Sequence, residues 1–384
     1  MYIRSLKLAD FRNIRRETLL FGEGTNIIYG KNAQGKTNII EAIFYLAGAK
    51  SFRGASSREM IYYGENGRDP SPFSFMEAEA VRDGSQRREF TVRAELFSQE
   101  KKRLFVNGVR VVKYSEFFGM LRVVLFTPEH LRLVKDGPAE RRAFLDAAIC
   151  QLKPSYASML ADHNKKLVSR NALLKKFRDT SPDPDELAFW NEALAAASAR
   201  ITKTRREYVA RLSEKAVPIY GALSGGEELS LSYKSALSED GDVNALTDQM
   251  LMLLRSREKY DLLLGTTSVG AHRDDMDIYV NSKSARDFSS QGQQRSAVLA
   301  LKLAEGDISL DDSGEYPVFL FDDVFSELDA SRRAYLTERL SGKQIIMTSC
   351  EPALPGVSDS PVNLIRVEGG TVQAVKRENG EESI

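Results

Sequence analysis

Only two cysteines, Cys150 and Cys350, occur in 384 residues. That leaves little room for a disulfide framework or a cysteine-rich zinc site, and it fits a reducing compartment. Long apolar runs are missing as well. None approaches the ~20 residues needed to span a bilayer, and the opening MYIRSLKLADFRN places charges every few residues with no apolar signal-like stretch. A cytoplasmic location with no membrane contact is therefore expected. Net charge is absent too, because 54 basic side chains offset 54 acidic ones. Any nucleic-acid surface must then be a local patch. What the chain does have is 42% hydrophobic residues, ample for proper cores, and a length that suggests about two to three domains.

Two halves of a nucleotide site stand at opposite ends of the chain. GKNAQGKT at residues 30–37 has the form of a phosphate loop, set between an apolar run, TNIIY, and an amphipathic helix predicted over residues 38–46. Gly30 and Gly35 let the backbone turn tightly, so that the amides of Lys31, Asn32, Ala33, Gln34 and Gly35 face phosphate oxygens. Lys36 can reach the β and γ phosphates, and the Thr37 hydroxyl can ligate magnesium. The helix opened by Asn38 turns its N-terminal dipole to the same anion.

The second half is FLFDDVFSELD at residues 319–329. Its apolar run, 317–321, reads as a strand buried on both faces and ends in Asp322 and Asp323. Asp322 is placed to hold magnesium, and Asp323 to polarise or position an attacking water. Taken alone, such a pair also suits a helix cap. SELD is expected to open a helix, and QIIMT at 344–348 to form a further strand. Roughly 280 residues separate the two halves, so one site must be assembled from both ends around an insertion.

Two strings compete for a third piece. LSGGE at residues 223–227 looks like the signature loop of ABC-type ATPases, whose Ser and Gly amides bind the γ-phosphate held by the opposite subunit. It lies roughly 95 residues ahead of the acidic strand and runs into LSLSY, whose alternation reads as a strand. A strand-entry turn is the expected role. SSQGQQRSAVLALKLAE at residues 289–305 lies about thirty residues ahead of Asp322, which suits one helix, a loop and the strand. Ser290 can cap that helix while the backbone of Gln291, Gly292 and Gln293 approaches a phosphate.

The insertion reads as helical. Residues 138–149 form a helix opened by Pro138 at its first position, and residues 156–177 carry apolar residues at helical spacing. TSPDPD at 180–185 breaks the pattern, and a second long helix over 187–217 carries the basic stretch Lys203, Arg205, Arg206 and Arg211. The expectation is an antiparallel hairpin of about thirty residues an arm. It is basic by about five charges between Gln151 and Lys215, which suits either a solvated face or phosphate contacts.

The opening LKLADFRNIRRETLLF, the GKNAQGKTNIIEAIFYLAGAKSFRG stretch, AHRDD at 271–275, the SSQGQQRSAVLALKLAE helix and FLFDDVFSELD together resemble the RecF family of bacterial recombination mediators. That family is similar to SMC heads. The resemblance implies an α/β fold, an ABC-type P-loop ATPase head with a helical-hairpin second lobe, divided as residues 1–120, 121–290 and 291–384. It implies ATP and Mg2+ as cofactors, an ATP-dependent homodimer, and a weak DNA-stimulated ATPase acting as a clamp or switch. It further implies binding to double-stranded DNA and gap junctions, RecR and RecO type partners, RecA loading and a nucleoid-associated location.

By motif, Lys36, Thr37 and Asp322 would hold ATP and magnesium, Asp323 would serve the water, and Ser290 with Gly292 would act in trans. Arg12 would approach the nucleotide. In this context Lys165, Lys166, Arg170, Lys175 and Lys176 are the DNA-contact candidates. Three departures stand out: Asp323 where most ABC ATPases have Glu, Thr348 and Ser349 with no histidine after them, and Ala271 where the family usually has Pro. A Q-loop glutamine is not evident, although residues 127–129 fall about where it belongs. His272 and Arg273 suit nucleotide sensing, DNA contact or a structural hydrogen bond. Two other classes share the phosphate loop. A transporter's nucleotide subunit should show a full signature loop just before the acidic strand, a Glu and a later His, and a small-molecule kinase would need no signature helix.

Overall fold

Four short apolar runs, too uniform for amphipathic surface strands, become the parallel core of a sheet. In the computed structural model, which describes residues 1–62, 71–82, 87–177, 184–238, 241–352 and 362–373, the order is Thr371–Gln373, Asn363–Glu368, Thr25–Tyr29, Ile345–Ser349, Val318–Phe321, Val123–Phe126. Only the edge pair is antiparallel. Both faces of such a sheet must be covered, which explains strands with every residue buried, such as Val318–Phe321. Because the strands run parallel, their C-terminal ends open on one edge, where ligands bind in open α/β sheets. The phosphate loop and Asp322 both leave from that edge.

The chain divides into two compact units, Met1–His130 with Leu299–Ile384 and Leu131–Val298. Within the first, a six-stranded antiparallel sheet, begun by Tyr2–Phe11 and Ile14–Leu20, shares a core with the parallel sheet and the Lys36–Gly48 helix. The helix begins two residues ahead of the predicted 38. The expected helix at SELD begins later, at Ala330–Arg339. Phe325–Glu327 is a 3-10 turn and Leu328 is extended, so Asp329 becomes the cap, accepting from the Arg332 N–H at 2.9 Å.

The second unit is mainly helical. Pro138–Leu152 opens with its proline at the first position, as expected. Pro154–Lys176 has 23 residues and Pro184–Ser224 has 41, so the two arms are unequal rather than thirty each. The longer helix continues through Pro218. Gly225 and Gly226, at φ 73° and 102°, end it. LSGGE is thus a helix end and the entry to the strand Leu229–Lys234, in agreement with the strand-entry expectation. Most of the TSPDPD break lies outside the described residues.

One DNA-contact candidate, Arg170, is corrected by this unit, and Arg205 of the basic stretch is internal as well. Arg170 is fully buried and donates to Asn191 at 2.7 Å, Asp261 at 2.8 Å and Thr267 at 2.8 Å. Desolvating a guanidinium is costly unless its charge is met inside. Here Nε and Nη1 tie the Arg170 helix to Asn191 and Asp261 on two other helices and to Thr267 in the 266–268 turn, while Nη2 is buried without a hydrogen-bond partner. Arg170 cannot contact DNA. Arg205 is buried in the same manner, with Asp146 at 2.8 Å and the Ala271 carbonyl at 2.7 Å. Lys165, Lys175 and Lys176 remain exposed, while Lys166 is half-buried and paired with Asp162 at 2.6 Å.

Candidate nucleotide site

The phosphate loop is built on two glycines that nothing else could replace. A Cβ on Gly30 would lie 2.2 Å from the Val367 carbonyl, and one on Gly35, at φ 112°, would lie 2.7 Å from the Asn13 amide oxygen. Lys36 is buried, and its ammonium folds back onto the Gly30 carbonyl at 2.6 Å and the Lys31 carbonyl at 3.0 Å. The loop borders a cleft of about 300 Å³ lined by Asn13, residues 32–38, Arg53 and Asp323.

The two sequence halves meet at Asp322. Its Oδ1 accepts from the Thr37 hydroxyl and from the Thr348 hydroxyl, both at 2.9 Å. Thr348 also accepts from the Asp323 N–H at 2.9 Å. Asp323 has φ 53°, a left-handed conformation that costs a non-glycine residue on the order of 1 kcal/mol. Thr348 thus holds the Asp322 carboxylate and the Asp323 backbone, with Asp323 Oδ1 a further 3.4 Å from its hydroxyl. Burial pushes the Asp322 carboxyl above its ordinary value against the pull of the two hydroxyls, and the charges of Asp323 and Glu129 push the same way. Such a group gains from a cation beside it.

The loop at residues 127–129 lies beside this carboxylate, because the Asp322 N–H donates to the Phe126 carbonyl at 2.9 Å. It carries no glutamine. The Thr127 N–H donates to His130 Nδ1 at 3.0 Å. Burial, with the positive charge of Lys302, pushes that imidazole down to about 3.

Arg12 joins the site indirectly. Its guanidinium grips the fully buried Glu41 at 2.9 and 2.7 Å and donates to the Glu59 carbonyl at 2.9 Å. The cleft is reached instead by its neighbour Asn13, which donates to the Gln34 carbonyl at 3.1 Å. Arg53 was not singled out from sequence. It lines the cleft, donates to Asn38 at 3.1 Å and lies 3.7 Å from Glu41. A cation in the KSFRG loop directly after a phosphate-loop helix was the available signal. The Gly369–Gly370 turn was also missed: both of its N–H groups donate to Gln34, at 2.5 and 2.9 Å.

In the second unit Ser290 caps the helix Gln291–Ser313 reciprocally. The Gln293 N–H donates to Ser290 Oγ at 3.2 Å, and Gln293 Oε1 accepts from the Ser290 N–H at 2.8 Å. Ser290 and Gln291 are exposed, while Gly292 and Gln293 are half-buried. His272 Nε2 contacts the Thr267 carbonyl at 3.1 Å, and burial pushes the ring down to about 4. Arg273 reaches the same carbonyl at 3.3 Å. Both fit the structural reading.

Comparison with known proteins gives this geometry a family. The RecF/RecN/SMC N-terminal domain model matches residues 2–373. A DNA replication and repair protein RecF from Agathobacter rectalis is 40% identical over 91% of this chain and 92% of its own length. Its counterpart from Clostridioides difficile is 36% identical over 99% and 100%. A solved structure of the recombination mediator protein RecF with ATP, in the RecFOR pathway, superposes with a TM-score of 0.88 at 33% identity, covering 97% of both chains. An Smc head shares the fold at a TM-score of 0.58 and 15% identity. The fold is that of an ABC-type P-loop ATPase head, and the chain belongs to the RecF family.

Proposed function

We propose that the protein is an ATP-dependent, DNA-binding recombination mediator of replication and repair, closing as a homodimer around two nucleotides. The observation that carries the reading is the meeting of Thr37 and Asp322 at 2.9 Å within a cleft whose wall is a phosphate loop. The residues present fit ATP. Loop amides and the Lys36 ammonium would bind the phosphates, and Asn13 and Arg53 would border them.

They also fit magnesium. Among the described residues no group of three or more His, Cys, Asp or Glu side chains could hold a metal by itself. An ion here would be held by Thr37 and Asp322 with phosphate and water oxygens, the usual arrangement for Mg2+. When bound, it supplies neutralisation of charge on the transferring phosphoryl group. Asp323, held by Thr348, positions the water; its side chain is one methylene shorter than a Glu, so turnover is slow. Ser290, with the backbone of Gln291 to Gln293, meets the nucleotide of the second copy. ATP therefore drives dimerisation, and hydrolysis releases it.

The arm-bearing insertion contributes exposed lysines, Lys165, Lys175 and Lys176, to duplex and gap-junction DNA, and the RecFOR context of the ATP-bound relative supports RecR and RecO type partners at the nucleoid. No helix among the described residues is long and apolar enough to cross a membrane, and the signature position precedes Asp322 by one helix, which a small-molecule kinase does not require. The test is binding to a gapped duplex with and without ATP across a salt series. Binding that strengthens with ATP and weakens steeply with salt is expected. Salt-independent binding, or none, would reject the reading.

A further inference from the structure

The LSGGE turn is not at the nucleotide loop, yet its glutamate is joined to the residue group that resembles a signature. Glu227 Oε1 accepts from Gln293 Nε2 at 2.6 Å. The other end of the same amide, Gln293 Oε1, accepts from the Ser290 N–H at 2.8 Å. One side-chain amide therefore links the carboxylate of the LSGGE turn to the backbone of the capping serine. A flipped amide would set its oxygen against the carboxylate, so the link also fixes which way Gln293 points.

Glu227 is itself held from several sides. Its Oε2 accepts from Tyr220 at 3.1 Å on the Pro184–Ser224 helix, and Oε1 also accepts from Asn281 at 3.3 Å. Its own N–H donates to Ser224 Oγ at 3.2 Å. Glu228 and Asn281 clasp the turn to the hairpin after Asp275–Val280, with the Asn281 N–H donating to the Glu228 carbonyl at 2.9 Å and the Glu228 N–H to the Asn281 side-chain Oδ1 at 2.9 Å. A capping box alone needs none of this, since the Ser290 and Gln293 groups already satisfy each other. The added carboxylate anchors an otherwise half-exposed glutamine to the long helix and the sheet.

We infer that Glu227 is a positioning residue for Ser290: through Gln293 it holds the serine and the first helical turn in the geometry that receives the partner copy's nucleotide. The inference rests on the reading of Ser290 as the in-trans contact. A charged hydrogen bond of this length, lost from a pre-organised group, corresponds to about tenfold or more in association.

The experiment is sedimentation velocity with saturating ATP and magnesium, beside titration of each monomer with a fluorescent ATP analogue. Glu227→Ala is expected to weaken ATP-driven dimerisation about tenfold or more with ATP affinity unchanged. Glu227→Gln keeps a neutral acceptor in place of the charged one and is expected to dimerise better than Glu227→Ala but less well than wild type. Gln293→Ala breaks the link while leaving the Tyr220 and Asn281 contacts of Glu227 in place. It is expected to lose dimerisation, and Glu227→Ala is expected to add nothing to it. Should Glu227→Ala fail to fold, Gln293→Ala decides alone.

Wild-type dimerisation in Glu227→Ala or Gln293→Ala overturns the inference. If Ser290→Arg is monomeric in the same run, the in-trans reading survives that failure. If Ser290→Arg dimerises with ATP, both fall.

Discussion

The Thr37 hydroxyl donates to the Asp322 carboxylate at 2.9 Å across 285 positions of sequence. A hydroxyl and a carboxylate held this close, on a phosphate-loop helix and at a strand end, are two oxygens placed for one cation. Thr37→Val removes one of them and leaves the phosphate loop amides untouched. Its expected result is loss of about tenfold or more of the magnesium-dependent gain in ATP affinity, with magnesium-free binding retained. ATP titrations with magnesium and with a chelator check this, and an unchanged magnesium effect contradicts it.

Thr348 holds the Asp322 carboxylate and the Asp323 backbone, donating to the first and accepting from the Asp323 N–H, each at 2.9 Å. Thr348→Val keeps the shape and removes both bonds. Turnover should fall about 10- to 100-fold, as for other residues that orient a metal-site ligand, while ATP binding changes less. Single-turnover hydrolysis beside equilibrium binding separates the two effects, and a proportionate loss in both argues against a positioning role.

Arg170 and the exposed lysines should part company. Arg170→Ala strands the fully buried Asp261 and is expected to cost about 3–5 kcal/mol of stability, read by chemical denaturation. Lys165→Ala and Lys175→Ala should leave stability unchanged. Each should lower the salt slope of DNA binding by about 1 if it meets a phosphate. A stable Arg170→Ala protein with a reduced salt slope would reverse the assignment.

His130 links acid stability to the loop beside Asp322. Its folded value is pushed down to about 3 from about 6.5 in an unfolded chain. The neutral ring therefore contributes stability that is full above pH ~6.5 and lost as pH falls toward about 3, by up to about 1.4 kcal/mol per pH unit. Denaturation of wild type at pH 7 and pH 5 should show that slope, and His130→Gln should flatten it. Equal slopes in the two proteins would show that the ring is not held neutral.

The nucleotide loop and the acidic strand were legible because their chemistry tolerates few alternatives: a glycine where a Cβ would meet backbone and another at positive φ, a lysine, a hydroxyl, and an apolar strand closed by carboxylates. Helix existence was legible in the insertion for the same reason that amphipathic spacing is. Burial of individual charges was not. Arg170 reads as one of a surface series, and only contacts distant in sequence, among them Asp261 91 positions away, make it internal. Arg12 was legible as part of the site, but Glu41, 29 positions on, takes its guanidinium. Thr348 is visible in sequence only as part of a strand end that lacks a histidine. Glu227 was read as a turn residue, correctly, and its bond to Gln293 lies 66 positions beyond any local pattern.

The central claim is that each chain holds two half-sites and that a complete site needs two chains. Mixing Lys36→Met, which keeps Ser290 but should not hold ATP, with Ser290→Arg, which should hold ATP but not serve a partner, tests it by sedimentation velocity with ATP. Neither variant should dimerise alone, and the mixture should form heterodimers with one intact site. Dimerisation of Ser290→Arg alone at the ATP concentration that suffices for wild type would contradict the account.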